Sequence, residues 1–137
     1  MSDSSFGTPR YGITRRLPGV TFEQALARAR EALPAEGFGV LTEIDVQATL
    51  KKKIGVERAP YVILGACNPA LANEALGAEA AIGLLLPCNV VVALDPDGTP
   101  VVSAVDPEVM FEVVGRDDVR PLAAEVRARL ARVIEAL

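Results

Sequence analysis

Five short segments of the chain have the hydrophobic pattern of β-strands. Each is rich in Val, Ile, Leu or Tyr and is bounded by Gly, Pro, Asn or Asp, which is typical of strands that end in turns. The Asp-Pro-Asp-Gly sequence at 95–98 is a strong turn signal, so the strands on either side of it are expected to form a hairpin. The predicted strands cover residues 11–17, 38–44, 60–66, 89–94 and 101–105.

Two longer segments have the three- and four-residue spacing of amphipathic helices. The first begins after Thr21, where Gln24 completes a capping box, and is predicted to end at Pro34 and Gly37. The second covers about 20 positions at the C-terminal end of the chain. Two shorter helices are predicted. One is capped by Asp45, runs through Leu50 and closes with Lys51-Lys52-Lys53 and Gly55; the other is capped by Asn68 and has a proline at its first position.

This order predicts an α+β fold, a mainly antiparallel sheet with two long helices packed on one face. We expect a single domain over residues 11–137, preceded by a flexible segment at 1–10. The strands near 61–66 and 89–94 are apolar at almost every position, which indicates that both faces of the sheet are covered. The two long helices can cover only one face. A second copy of the chain would cover the other, so we predict a homodimer; the alternative cover is the two short helices with the loop at 83–86.

Composition narrows the class of function. The 137 residues contain no His, which excludes Ser-His-Asp triads, Cys-His dyads and zinc sites that use His. A net charge of −4 argues against nucleic acid as a partner. The N-terminal residues lack the apolar core of a signal peptide, and the longest uncharged stretch is too short and too interrupted to cross a membrane. We therefore expect a cytoplasmic protein with reduced cysteines and no membrane partner.

Two Cys-Asn pairs are the most informative candidate site. Cys67-Asn68 follows one predicted strand and Cys88-Asn89 precedes the next, so antiparallel strands would bring both thiols to the same end of the sheet. Cys67 also lies next to a helix N-terminus, where a thiolate is stabilised. Neighbouring thiols could bind a soft metal ion such as Cu(I) or Zn(II), or form a disulfide reversibly. Alternatively, both cysteines only fill space in the core.

A pair of carboxylates is the second candidate. Glu43 and Asp45 alternate on one predicted strand and therefore point to the same side, where they could act in acid-base chemistry or hold a hard cation. The alternative is that Asp45 caps the next helix and Glu43 is solvated or paired with a lysine. The chain has no phosphate-binding glycine motif and no nucleophile-elbow serine. Its six aromatic residues, none of them Trp, make a base-stacking surface implausible.

Three segments together resemble the domain of unknown function 302 family: residues 37–46, 61–69 and 83–90. The resemblance implies a sheet-and-helix fold related to the TATA-binding-protein-like architecture, without any implication of DNA binding, and a homodimer. It also implies that eight residues occupy the signature positions of the family: Glu43, Asp45, Cys67, Asn68, Pro69, Pro87, Cys88 and Asn89. The family has no established activity, so the resemblance transfers no catalytic residue and no cofactor.

Three functional hypotheses remain open at this stage. The first is a dimeric module that binds a small molecule or a soft metal near Cys67, Asn68, Cys88 and Asn89, with Glu43 and Asp45 as further candidate ligands. The second is a thiol-based redox protein or enzyme that uses Cys67 and Cys88. The third is a structural or interaction protein in which these residues pack and cap. The sequence leaves the ligand and any reaction undetermined.

Overall fold

The computed structural model describes residues 4–137 and contains one five-stranded antiparallel sheet. The strand order is β1-β5-β4-β3-β2, and β4 and β5 form the predicted hairpin around the turn at 95–98. Every predicted strand is confirmed to within one residue at each end. The strands are β1 (Gly12–Arg16), β2 (Gly39–Asp45), β3 (Tyr61–Cys67), β4 (Cys88–Leu94) and β5 (Pro100–Val105).

Residues 4–137 contain five α-helices, and all of them except the fourth were predicted from the sequence pattern. They are α1 (Phe22–Ala35), α2 (Val46–Ile54), α3 (Pro69–Ala78), α4 (Pro107–Phe111) and α5 (Arg120–Glu135). Short 3-10 helices follow at Ala80–Leu85, Glu112–Val114 and Asp117–Val119. The helix α2 extends past Leu50 and closes with the three lysines at 51–53 and Gly55, as predicted, and the positive φ of 68° at Gly55 ends it.

The start of α1 is confirmed, and so is Gly37 as a residue that stops it, whereas Pro34 does not stop the helix. Thr21 and Gln24 form the capping box at its start. Pro34 lies inside the last turn, where its missing N–H removes only one helical hydrogen bond. The helix ends instead because Gly37 adopts a φ of +84°. The Gly37 N–H then donates a hydrogen bond to the Pro34 carbonyl, and the Phe38 N–H donates one to the Leu33 carbonyl. These two hydrogen bonds are the pattern of a Schellman motif.

One face of the sheet is covered by α1 and α5, and this contact forms the main core. Leu33 of α1 and Leu130 of α5 are completely buried against Leu64, Val90 and Val102 of the central strands. Each such side chain contributes about 1.5–3 kcal/mol relative to an exposed position. A second, smaller cluster joins α3 and the helix Ala80–Leu85 to α4 and α5, with Ile82 and Phe111 at its centre. The short helix α3 and the 83–86 loop therefore extend the helical layer rather than cover the opposite face.

The opposite face of the sheet is partly covered by the N-terminal segment, residues 4–11. The Phe6 N–H donates to Asp95 Oδ1 over 2.8 Å, and Arg16 reaches both the Gly7 carbonyl and Asp95 Oδ2 over 3.3 Å. Beneath this segment Ser103 of β5 is 6% exposed, although strand alternation places it on the face away from α1 and α5. Residues 1–3 of the predicted flexible segment lie outside the described residues, and flexibility of the segment remains a prediction.

Candidate functional site

The two thiols lie at the same end of the sheet, as the sequence predicts. Cys67 is the last residue of β3 and Cys88 the first of β4, and Ala66 pairs directly with Cys88. Residues directly opposite each other share a face, so Cys88 points with Ala66 toward α1 and α5, whereas strand alternation directs Cys67 to the other face. Both cysteines are free; Cys88 is buried and Cys67 is half-buried.

The cavity beside the thiols is too small for a ligand. It has a volume of about 30 Å³ and is lined mainly by apolar side chains of α3, α5 and the segment around Pro87. Such a volume holds roughly one water molecule. Within residues 4–137, no group of three or more His, Cys, Asp or Glu side chains is arranged to hold a metal ion. This corner of the fold therefore has the packing of a core, and the soft-metal hypothesis remains a prediction that rests on two thiols alone.

Burial also makes Cys88 a weak nucleophile. It raises the pKa of the Cys88 thiol to about 11, and the neighbouring Cys67 adds to the rise because two thiolates would repel each other. At neutral pH the Cys88 side chain is therefore a protonated thiol, whereas nucleophilic and metal-binding chemistry both require the thiolate.

Asn68 has a structural role in the same corner. Its Oδ1 accepts a hydrogen bond from the Leu71 N–H over 3.2 Å and so caps α3, as predicted. Its Nδ2 lies 3.5 Å from the Glu36 carbonyl at the end of α1, a long and weak contact. Asn68 is 9% exposed, so its carboxamide joins two helix ends and does not face a cavity large enough for a ligand.

The carboxylates of β2 are occupied by neighbours within the chain. Asp45 caps α2 by accepting from the Ala48 N–H over 2.9 Å. Glu43 forms a two-point ion pair with Arg30 of α1 through both of its oxygens. The register of β2 pairs Gly39 with Cys67 but Glu43 with Leu64, so both carboxylates lie away from the cysteines. Capping by Asp45 is the predicted alternative to acid-base chemistry, whereas the partner of Glu43 is an arginine and not the lysine of that alternative.

Asn89 stands apart from the other candidates because it lies on the opposite face from Cys88. It pairs with Gly65, is exposed, and forms no hydrogen bond through its side chain within residues 4–137. Its side chain lines a groove of about 460 Å³ that runs between β3, β4, β5 and the N-terminal segment. This volume lies within the range of small-molecule sites, about 300–1,000 Å³.

The groove has an apolar floor and polar ends. Val91, Ala93 and Val105 of the central strands form the floor, and Phe6 and Pro9 form one wall. The polar lining residues besides Asn89 are Ser4, Ser5, Tyr11, Arg58, Tyr61, Asp95 and Ser103. Two of these groups are already satisfied: the Ser103 hydroxyl bonds to Thr14 over 2.7 Å, and Asp95 holds Phe6 and Arg16.

The sequence analysis missed every polar residue of this groove except Asn89. Tyr11 and Arg58 lie in or next to loops, and nothing in their local pattern distinguishes them from ordinary surface residues. Ser103 carried a usable signal, because it is the one polar residue inside an otherwise apolar strand. The groove itself is formed by the N-terminal segment, whose position depends on the distant residue Asp95 and could not be deduced from spacing.

The fold and the groove together define a small single-domain α+β protein with a ligand-sized groove on the sheet face opposite its helices. The chain belongs to the family described as Domain of unknown function DUF302, whose model matches residues 13–137. It is similar to the crystal structure of an uncharacterized conserved DUF302 protein from Bacillus stearothermophilus, with 28% identity and a TM-score of 0.86. The match covers 93% of this chain and 98% of that chain.

No curated protein matches the chain. In residues 4–137 no helix combines the length and the hydrophobicity needed to cross a lipid bilayer. The predicted membership of the family and the predicted α+β class are thus confirmed, while function has to be argued from the groove and the thiols themselves.

The two asparagines should differ sharply in their effect on stability. We expect Asn68→Ala to lower the free energy of unfolding by about 1–2 kcal/mol, because the α3 N-terminus loses its cap. Asn89→Ala should change it by less than about 0.5 kcal/mol, because an exposed side chain with no internal bond is removed. Urea denaturation of both variants measures the difference, and equal losses would contradict these assignments.

The raised pKa of Cys88 predicts slow alkylation. A shift from 9.0 to about 11 reduces the thiolate fraction at pH 8 about hundredfold relative to the unfolded chain. In a Cys67→Ser variant, which keeps the burial of Cys88 but loses the contribution of Cys67, iodoacetamide should therefore modify native Cys88 at least about tenfold more slowly than in urea. The rate should rise with pH until about 11. Fast native reaction near pH 7 would contradict this prediction and favour the thiol-enzyme hypothesis.

Proposed function

We propose that this protein binds a small, largely apolar molecule in the groove between the sheet and the N-terminal segment. The observation that carries the proposal is the size and lining of the groove: about 460 Å³, an apolar floor on β4 and β5, and the unbonded carboxamide of Asn89 within it. Sites for small molecules are typically concave, mostly apolar and provided with a few polar groups that fix orientation.

The small-ligand hypothesis is retained, but the proposed binding site is the groove and not the corner of the fold that contains the two cysteines. Of the six candidate residues only Asn89 lines the groove, while Cys67, Asn68 and Cys88 surround the cavity of about 30 Å³. Soft-metal binding and thiol redox chemistry remain predictions that the alkylation experiment tests. A cytoplasmic location also remains a prediction.

Binding in the groove can be tested with N-phenyl-1-naphthylamine, an apolar dye whose fluorescence rises in dry sites. We expect saturable binding to the native protein. Asn89→Phe should weaken it at least tenfold, because an aromatic ring at this exposed strand position would occupy the groove. The matched control is Lys52→Phe, which adds the same ring on the exposed surface of α2 and should leave the affinity within about twofold.

Circular dichroism and thermal unfolding establish that both variants are folded. Absence of saturable dye binding to the native chain would refute the proposal. So would equal affinities of the native chain and a folded Asn89→Phe variant.

We also propose that the chain forms a homodimer through the edge of β2. All seven residues of this edge strand are exposed, and they include the apolar Val40, Leu41 and Ile44. An unpaired edge offers backbone N–H and C=O groups to a second copy related by a two-fold axis. Glu43 is ion-paired with Arg30 and Asp45 accepts a hydrogen bond from the Ala48 N–H, so both carboxylates have polar partners in their own chain.

Charged substitutions on this edge should produce a monomer. We expect sedimentation equilibrium to give the mass of two chains for the native protein and of one chain for Leu41→Lys/Ile44→Lys, because buried lysines would be unpaired at the interface. Leu84→Lys is the control, since Leu84 is 88% exposed in a different part of the fold. A native protein that remains monomeric at about 100 μM would contradict the proposed dimer.

A further inference from the structure

Some polar side chains of the groove form hydrogen bonds within the chain, and others do not. The one carboxylate that lines it among the described residues, Asp95, accepts from the Phe6 N–H and pairs with Arg16, so its charge is compensated. The Ser103 hydroxyl is bonded to Thr14. The hydroxyls of Tyr11 and Tyr61, by contrast, form no hydrogen bond within residues 4–137, although Tyr61 is half-buried.

These two tyrosines lie close to each other and to Arg58 at one end of the groove. Burial raises the pKa of the Tyr61 phenol, the nearby Tyr11 raises it further, and the Arg58 guanidinium opposes the rise. The raised pKa keeps the Tyr61 hydroxyl protonated at neutral pH, so that it can donate a hydrogen bond. Pro60 and Ala93 border the same end and keep it partly apolar.

A half-buried hydroxyl without a partner loses part of its hydration and gains nothing in return. A ligand that offers an acceptor oxygen would satisfy the half-buried hydroxyl of Tyr61 and could at the same time accept from the exposed hydroxyl of Tyr11 beside it. A ligand that offers only a cationic donor would find no uncommitted carboxylate among the described lining residues. The chemistry of this end of the groove therefore favours an acceptor.

We propose that the ligand of the groove carries a carbonyl-type oxygen, in a ketone, amide or carboxylate, and that Tyr11 and Tyr61 donate hydrogen bonds to it while its apolar body lies on Val91 and Ala93. This assignment rests on the proposed function and specifies the class of molecule that the site takes. Tyr11 and Tyr61 are the two tyrosines of the chain, so the donors can be removed completely by two substitutions.

Three matched probes separate the carbonyl contact from the apolar contact. All three contain the same naphthalene ring system: they are 2-(dimethylamino)naphthalene, its 6-propionyl ketone and its 6-carboxylate. We expect the native protein to bind at least one of the two oxygen-bearing probes more tightly than the parent amine, 2-(dimethylamino)naphthalene. The expected gain in affinity is about threefold to tenfold per donated hydrogen bond. The order of ketone and carboxylate then tells whether the acceptor is neutral or charged.

Tyr11→Phe/Tyr61→Phe should reduce this preference, measured against the parent amine in the same variant, to within about twofold. Retention of the preference in the double variant would overturn the inference, as would equal binding of all three probes to the native chain; in both cases the groove would still be a binding site. Failure of all three probes to bind the native protein would instead overturn the proposed function itself.

Discussion

The alternation of side chains along β4 is the constraint on which the organisation of this protein depends. Val90 and Val92 point toward α1 and α5 and are completely buried, while Asn89, Val91 and Ala93 line the groove on the other face. The side chains of the adjacent residues Cys88 and Asn89 therefore lie in different environments: Cys88 is buried under the helices, and Asn89 is exposed to solvent. A shift of one residue in the pairing with β3 would exchange these roles and bury the carboxamide, so the register decides where a ligand can bind.

The two faces then acquire different chemistry because different elements cover them. The helices α1 and α5 form a continuous apolar layer, which excludes water from Cys88 and raises its pKa. The N-terminal segment is short and held mainly by backbone hydrogen bonds, so it covers β5 without filling the space above β4. Asp95 at the β4–β5 turn is central here: it fixes the segment through Phe6, and Arg16 compensates its charge. Among residues 4–137, the walls of the groove therefore carry no uncommitted negative charge.

Much of the fold could be predicted from the sequence because its signals are local. The Thr21 and Gln24 capping box, the Asn68 cap and the turn at 95–98 each depend on residues within four positions of one another. Of the two residues predicted to end α1, Gly37 provides the stop through equally local bonds, whereas Pro34 costs little in the last turn of the helix. The groove escaped prediction because it depends on the contact of Phe6 with Asp95, 89 positions apart.

At the candidate site, too, local contacts could be predicted from the sequence and long-range contacts could not. A cap such as Asp45 or Asn68 could be weighed correctly from sequence, because its partner lies three residues away. The Glu43 pair with Arg30 links a strand to a helix and emerged only from their packing. For Cys88 and Asn89 the pattern indicated the correct end of the sheet but not the separation of the two side chains. That separation follows from the pleat once the strand is known to start at Cys88 rather than Asn89.

The strand order also determines that the proposed groove and the proposed dimer edge are independent. The groove floor lies on β4 and β5, whereas β2 is the outer edge beyond β3. Neighbouring strands lie about 4.8 Å apart, so roughly 10–14 Å separates the groove floor from that edge. A second copy paired along β2 would extend the sheet in its own plane and leave the N-terminal segment untouched. Because no lining residue of the groove belongs to β2, ligand binding in a monomer and dimer formation without ligand are both compatible with this architecture.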